Sequence, residues 1–481
     1  MASIVASLAV LSFVGGEKVP EGGGLGWDGT QYSRMTRELG QMVRNRELAG
    51  YHAQRILPSA AVRGLLVAAG RAPTSDAAIA GFEAWNALVL LTCVGLWWAA
   101  CASLGLGPTG RWVGFAGLFL CFMNSKHVFY NPVLTDTTAF GFGMAQLLLY
   151  LRRRPIALAL ASVAGSFAWP PCGLYGALLI PFTHRTGATA VGAEPPMPGD
   201  PRPTVRPAWP RCGAVAAAAI LLAVAAAPLT GRSGLRLAAS VVVGAATLSA
   251  IGCLAATSLL DGGSAGSWRR RIGRGSWRWV LAAGVALAGP LLARLISNPA
   301  IPDTADAFSL LSKIAVPAAK PLLFLVAHAV YLGPAVLLIV LYWPRFALQV
   351  RKLGDGARVL VAANLFLACA TQSRFLSAAW PFFVAPAAMM LDGARVPRRF
   401  QLAFAACVLV FSRGWLVINV SPWPGGSFEG FGVFPKQMYF MHLGEWMSWS
   451  SYAWQGALVT ASALLLLRLG RDIDWAPSHD A

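Results

Sequence analysis

The run AIAGFEAWNALVLLTCVGLWWAACASL (residues 78–104) carries one charged side chain, Glu83, near its start. An apolar run of about 20 residues is enough for a helix to cross the hydrocarbon core of a bilayer, so this one reads as a membrane span. Similar runs near 1–15, 112–124, 134–151, 155–168, 170–183, 213–229, 237–260, 277–296, 317–343, 357–372, 374–391, 399–420 and 451–468 extend the pattern along the chain. They predict an all-α polytopic membrane protein of about 11 to 14 transmembrane helices, several too short to cross upright. Composition agrees, because 56% of the 481 residues are hydrophobic and 12% are charged, against roughly 25% charged in soluble domains. No independent soluble domain is visible, and residues 1–481 read as one transmembrane domain.

The formal net charge of +19 suggests an anionic partner. However, the Arg clusters punctuate apolar runs and are not interleaved with aromatics on a polar face, which excludes nucleic acid and leaves membrane lipids. The clusters at Arg152–Arg154, Arg269–Arg278, Arg345–Lys352 and Arg395–Arg399 fall on one side if the N-terminus is cytoplasmic. The reading is therefore a multi-pass protein of the inner (cytoplasmic) membrane with both termini inside and the acids collected outside. The first 15 residues lack a basic n-region and a cleavage site, so they read as an uncleaved, short first span. Residues 184–212, rich in Pro and Gly, read as a flexible cytoplasmic linker. "WPPCG" (169–173) predicts a broken or re-entrant pair of helices, because proline removes helix donors. The cysteines lie in or beside apolar segments without a CxxC, and read as small core residues.

Chemistry concentrates in the outer connections. The first outer loop, 16–77, opens with "GLGWDGTQYSRM" (24–35), and Tyr32, Met35, Leu39, Met42 and Val43 then recur at helical spacing, which predicts an amphipathic helix at the membrane surface. "RILPSAAVRGLL" (55–66) predicts a second. Asp28 stands at the head of the first, as a general base or as a helix cap. Gly26 and Gly29 read as leaving room for a substrate beside it, with Trp27 and Tyr32 as faces for a sugar or headgroup. "NPVLTDTTAFGFG" (131–143) places Asp136 at the outer end of a span, where an acid is a functional candidate or another cap. "ATQSRFLSAAWPFF" (370–383) places Arg374 at an outer boundary, and "YHAQRILPS" (51–59) supplies Arg55. Both guanidiniums are phosphate candidates. His52, His127 and His442 share the outer side, so a three-His metal site is one reading. The last outer loop, 421–450, is dense in aromatics, Gly and Pro, and suits an aromatic belt or a cover that stacks on sugar.

In this order the pieces resemble the GT-C superfamily of polytopic membrane glycosyltransferases: "WDGTQY", then "YHAQRILPS", "NPVLTDT", and a late Arg in "QSRFLSAAWPFF". The resemblance implies a GT-C-like helical bundle with surface helices in its first extracytoplasmic loop. It implies an inverting transferase that uses a polyprenyl-phosphate-linked sugar donor and a glycan or glycolipid acceptor of the cell envelope. Asp28 falls on the catalytic base and Asp136 on an orienting or metal-holding acid. Trp27, Tyr32, Arg55, Arg374 and His442 are the substrate-binding candidates. Mg or Mn is the cofactor such acids would share. With two acids alone, water and substrate would have to complete the shell, so weak or no metal dependence is predicted. The competing reading is a transporter or flippase of a lipid-linked sugar, without bond chemistry.

Overall fold

The computed structural model describes residues 1–183, 276–301, 322–420 and 438–475, together with Ile251, Gly252, Ser258, Leu259 and Lys320. The linker at 184–212, the expected span at 213–229, most of that at 237–260 and residues 421–437 of the last outer loop lie outside the described residues. Among the described residues the regular structure is helical. In chain order the helices are α1 (Ala2–Gly15), α2 (Trp27–Arg44), α3 (Gly50–Ala53), α4 (Ile56–Ala68), α5 (Ser75–Leu104) and α6 (Pro108–Phe119). There follow α7 (Val128–Tyr130), α8 (Asp136–Leu151), α9 (Pro155–Ser166), α10 (Pro171–Leu179), α11 (Ser276–Ile296) and α12 (Leu323–Leu332). The series ends with α13 (Ala335–Leu341), α14 (Trp343–Leu353), α15 (Asp355–Leu367), α16 (Trp380–Asp392), α17 (Arg398–Ser412) and α18 (Trp449–Leu469).

Three of the described helices, those at 75–104, 277–296 and 449–472, are long and apolar enough to cross a membrane. The outer faces of several helices present Val10, Leu11, Phe13, Val14, Val280, Leu287, Leu295, Trp454 and Leu464 unburied, a surface that suits lipid and not water. Local chemistry sets the helix ends. Thr74 caps α5 by accepting from the Ala77 N–H, and Gly105 closes it in the left-handed region at φ +66°. At α6 the cap comes from another part of the chain, because the Asp392 carboxylate accepts from the N–H groups of Gly107 and Gly110, both at 2.8 Å.

Several expected spans are broken. The run 317–343 divides into α12 and α13 at Gly333–Pro334, where Gly333 has φ +81° and proline cannot donate. The run 399–420 stops at Ser412, with Arg413 in the left-handed region at φ +57°. The "WPPCG" break is present, and α9 and α10 pack against each other on either side of it. All six cysteines among the described residues are buried and free.

The first loop also differs from its surface reading. Helix α2 carries the expected apolar face, but Tyr32 and Met35 are fully buried and α2 packs on α4 and α5. The face is spent on protein, in a second core shared with Val62, Leu66, Phe82 and Val133. Helix α4 is fastened to α2 by Ser59 Oγ, which donates to the Tyr32 carbonyl at 3.1 Å.

Glu17 ties the end of α1 to the segment after α17. Its carboxylate accepts from the N–H groups of Ile418 (3.0 Å) and Asn419 (2.9 Å) and pairs with Lys126 (2.9 Å). Burial pushes its pKa up, but these donors outweigh burial and hold it below the ordinary value. A depressed folded pKa gives stability that is present above the unfolded value, about 4.3, and is lost as pH falls through the folded value. Glu17→Gln is expected to cost about 1–2 kcal/mol at neutral pH and to flatten the acid-side loss of stability. Thermal unfolding at pH 7 and in mild acid checks both, and an unchanged neutral midpoint would show the tie to be idle.

Candidate active site

Asp28 is the second residue of α2, whose N-cap is Gly26 with no side-chain cap bond. Asp136 is the first residue of α8, capped by Thr135 again without a side-chain bond. Neither acid is the capping residue of its helix. Both face one cation. Arg374 Nη2 lies 3.4 Å from Asp28 Oδ2, and Arg374 Nε lies 3.4 Å from Asp136 Oδ1. The three side chains are unequally covered, with 36% of Asp28, 18% of Arg374 and 6% of Asp136 exposed. Asp28 is therefore the carboxylate a substrate can reach, and Asp136 the one held inside.

Close packing of the two helix starts brings the acids together. A Cβ on Gly26, which has φ +71°, would lie 2.9 Å from Asn131 Oδ1, and one on Gly29 would lie 3.0 Å from Val133. The two glycines make room for the segment that leads into Asp136, which corrects the expectation that they make room for a substrate. Arg374 is set from another direction, on a 3-10 turn, Ser373–Leu376, between α15 and α16. His328 of α12 pins that turn: Nε2 donates to the Ala368 carbonyl (2.7 Å), leaving Nδ1 to accept from Ser373 Oγ (2.9 Å).

Arg55 stands beside this trio. Its guanidinium lies 3.7 Å over the Tyr51 ring and 5.1 Å from Trp169, whose ring Arg374 also approaches at 5.9 Å. Among the described residues Arg55 has no carboxylate within ion-pair distance. Tyr32 is buried nearby, and burial pushes its phenol well above the ordinary value. Trp27 packs at a tilt against Tyr439 (5.2 Å) and Phe440 (5.4 Å). His442 lies flat on Tyr331 at 4.8 Å and edge-on to His127 at 4.7 Å.

All seven residues expected at the site fall in this region. Sequence reasoning missed Asn131, Trp169, His328, Tyr331 and Tyr439, and left His127 as a metal candidate. Asn131 and Trp169 were within reach, since they begin "NPVLTD" and "WPPCG". Tyr331 and His328 sit in an apolar helix whose pattern carries no such signal.

Buried polar atoms without a hydrogen-bond partner among the described residues also concentrate here: Tyr32 Oη, His127 Nε2, Asn131 Oδ1, Thr135 Oγ1, Asp136 Oδ2 and His442 Nδ1. Each costs about 1–3 kcal/mol if left unpaired, so such a concentration is expected where a polar ligand completes the bonding. A divalent cation does not fit this donor set. A guanidinium already lies between the two carboxylates, and no group of three His, Cys, Asp or Glu side chains among the described residues is placed to hold a metal. That includes the proposed three-His set, of which His52 packs on Tyr32 and Tyr51, away from the His127–His442 pair. No family model, curated protein or solved structure matches the chain.

Proposed function

We propose that this chain is a multi-pass glycosyltransferase of the inner membrane, with a GT-C-like fold and both termini cytoplasmic. It would move a sugar from polyprenyl phosphate to a hydroxyl of a cell-envelope glycan or lipid on the outer face. The observation that carries the reading is the meeting of Asp28, Asp136, Arg374 and Arg55 from four separate segments, two acids and two guanidiniums in one partly buried place.

The roles follow from their surroundings. Asp28, the more exposed acid, takes the proton of the acceptor hydroxyl. The acceptor oxygen then forms a bond to the anomeric carbon as the bond from that carbon to the phosphate oxygen breaks, and the electron pair leaves with polyprenyl phosphate. One displacement of this kind inverts the anomeric centre. Arg374, already paired with two carboxylates, keeps Asp28 placed. Arg55, with no carboxylate in ion-pair distance among the described residues, is the better receptor for the departing phosphate, which it stabilises as charge develops there. Asp136, held inside by Arg374, orients the pair.

The test is transfer by purified protein in proteoliposomes, with polyprenyl-phosphate sugars labelled in the sugar and an envelope lipid or glycan extract as acceptor. Labelled product with equivalent polyprenyl phosphate is expected. Label that crosses the bilayer while every donor stays intact would instead establish a flippase. Because Arg374 bridges the acids, chelation is expected to change the rate by no more than about twofold. Activity lost to chelator and restored by Mg or Mn would overturn that account.

A further inference from the structure

We propose that the sugar carried by the donor is uncharged and is held by a neutral wall of the site built from His127, His442 and Asn131. This rests on the donor reading above and adds the class of sugar and its direction in the site.

The site has two unlike sides. On one, Arg55 and Arg374 approach the Trp169 ring, a place for an anion. On the other, between Trp27 and Tyr331, the polar side chains are imidazoles, an amide and phenols. His127, His442 and Asn131 are all buried, and each has a polar atom with no hydrogen-bond partner among the described residues: Nε2, Nδ1 and Oδ1. Asn131 Nδ2 donates to Tyr439 Oη at 2.9 Å, while its Oδ1 has no partner among the described residues.

The imidazoles stay neutral. Burial, with Arg374 adding to it, pushes His127 down to about 3, and burial, His127 and Arg374 push His442 well below its ordinary value. A neutral imidazole offers one donor and one acceptor, and an amide oxygen accepts. Sugar hydroxyls, which both donate and accept, match that set. The side chains of this wall carry no charge of either sign, so a uronate carboxylate or an amino sugar's ammonium would lose water there without gaining a partner.

The experiment measures binding of three probes to the full-length protein in detergent: a short-chain polyprenyl phosphate, its phosphoglucose ester and its phosphoglucuronate ester. Wild type is expected to bind the glucose ester about tenfold or more tighter than the bare phosphate, and to give the glucuronate ester no such gain. His127→Ala, His442→Ala, the volume-keeping His442→Gln and Asn131→Ala should each reduce the glucose gain while bare-phosphate affinity stays within about twofold. That second number also reports a folded site. A glucose gain that survives in all four variants, or a glucuronate ester bound as tightly as the glucose ester, would overturn the inference and leave the donor reading standing. Failure of wild type to bind even the bare phosphate would remove the donor reading, and this inference with it.

Discussion

Asp28→Asn is expected to lower sugar transfer by about a hundredfold or more, the usual scale for loss of a general base, with the protein still folded. Asn keeps the size of the side chain and can still accept a hydrogen bond from Arg374, but it cannot take a proton. Stability should change little. Asp28 does not cap α2, and its ion pair is long at 3.4 Å with the carboxylate 36% exposed, so the pair contributes less than about 1 kcal/mol. The assay is product formed per membrane-inserted protein, with melting measured on the same preparation. Near wild-type product from this variant would take Asp28 out of the mechanism and most of the case for a transferase with it.

Arg374→Gln should fail differently, losing activity and stability together. It leaves Asp136, 6% exposed, with no cation within ion-pair reach among the described residues, and Asp28 beside it. Removing one partner of a buried pair costs about 3–5 kcal/mol, and the lower end applies here because Asp28 and Arg374 both reach solvent. Transfer should fall at least about a hundredfold, since the base loses its placement and the site its bridging charge. The double variant with Asp136→Asn separates the two effects: it should recover much of the stability and none of the activity. If Arg374→Gln melts with wild type, or the double variant regains no stability, the bridging geometry is not what holds the site together.

The two variants differ because burial differs, and burial is what the sequence could not show. Asp28 was legible as a candidate through its neighbours, an aromatic residue and two glycines at the head of an amphipathic pattern. The reading of those glycines was wrong in an instructive way. Gly in such a place signals close approach, but the approaching group is Asn131 and Val133 of the chain itself. Likewise the period of Tyr32 and Met35 correctly marked a helix and one apolar face. It could not say whether lipid or α4 and α5 would cover that face, since both bury apolar surface equally well.

The amino-acid sequence by itself determined many of the helix ends, because caps, glycines and prolines act within a few residues of where they stand. Thr74, Gly105 and Pro171 mark their own boundaries. It also determined which chemical groups are on hand, two acids and two guanidiniums at the ends of apolar runs. Only the tertiary structure decided that Arg374 meets Asp28 across 346 residues and Asp136 in the same step, and that the rings of His127, His442 and Tyr331 pack together. Such pairings leave no periodic trace, because an ion pair or a ring stack depends on the path of the whole chain. Whether a buried charge has a partner is a property of three-dimensional distance, not of spacing along the sequence.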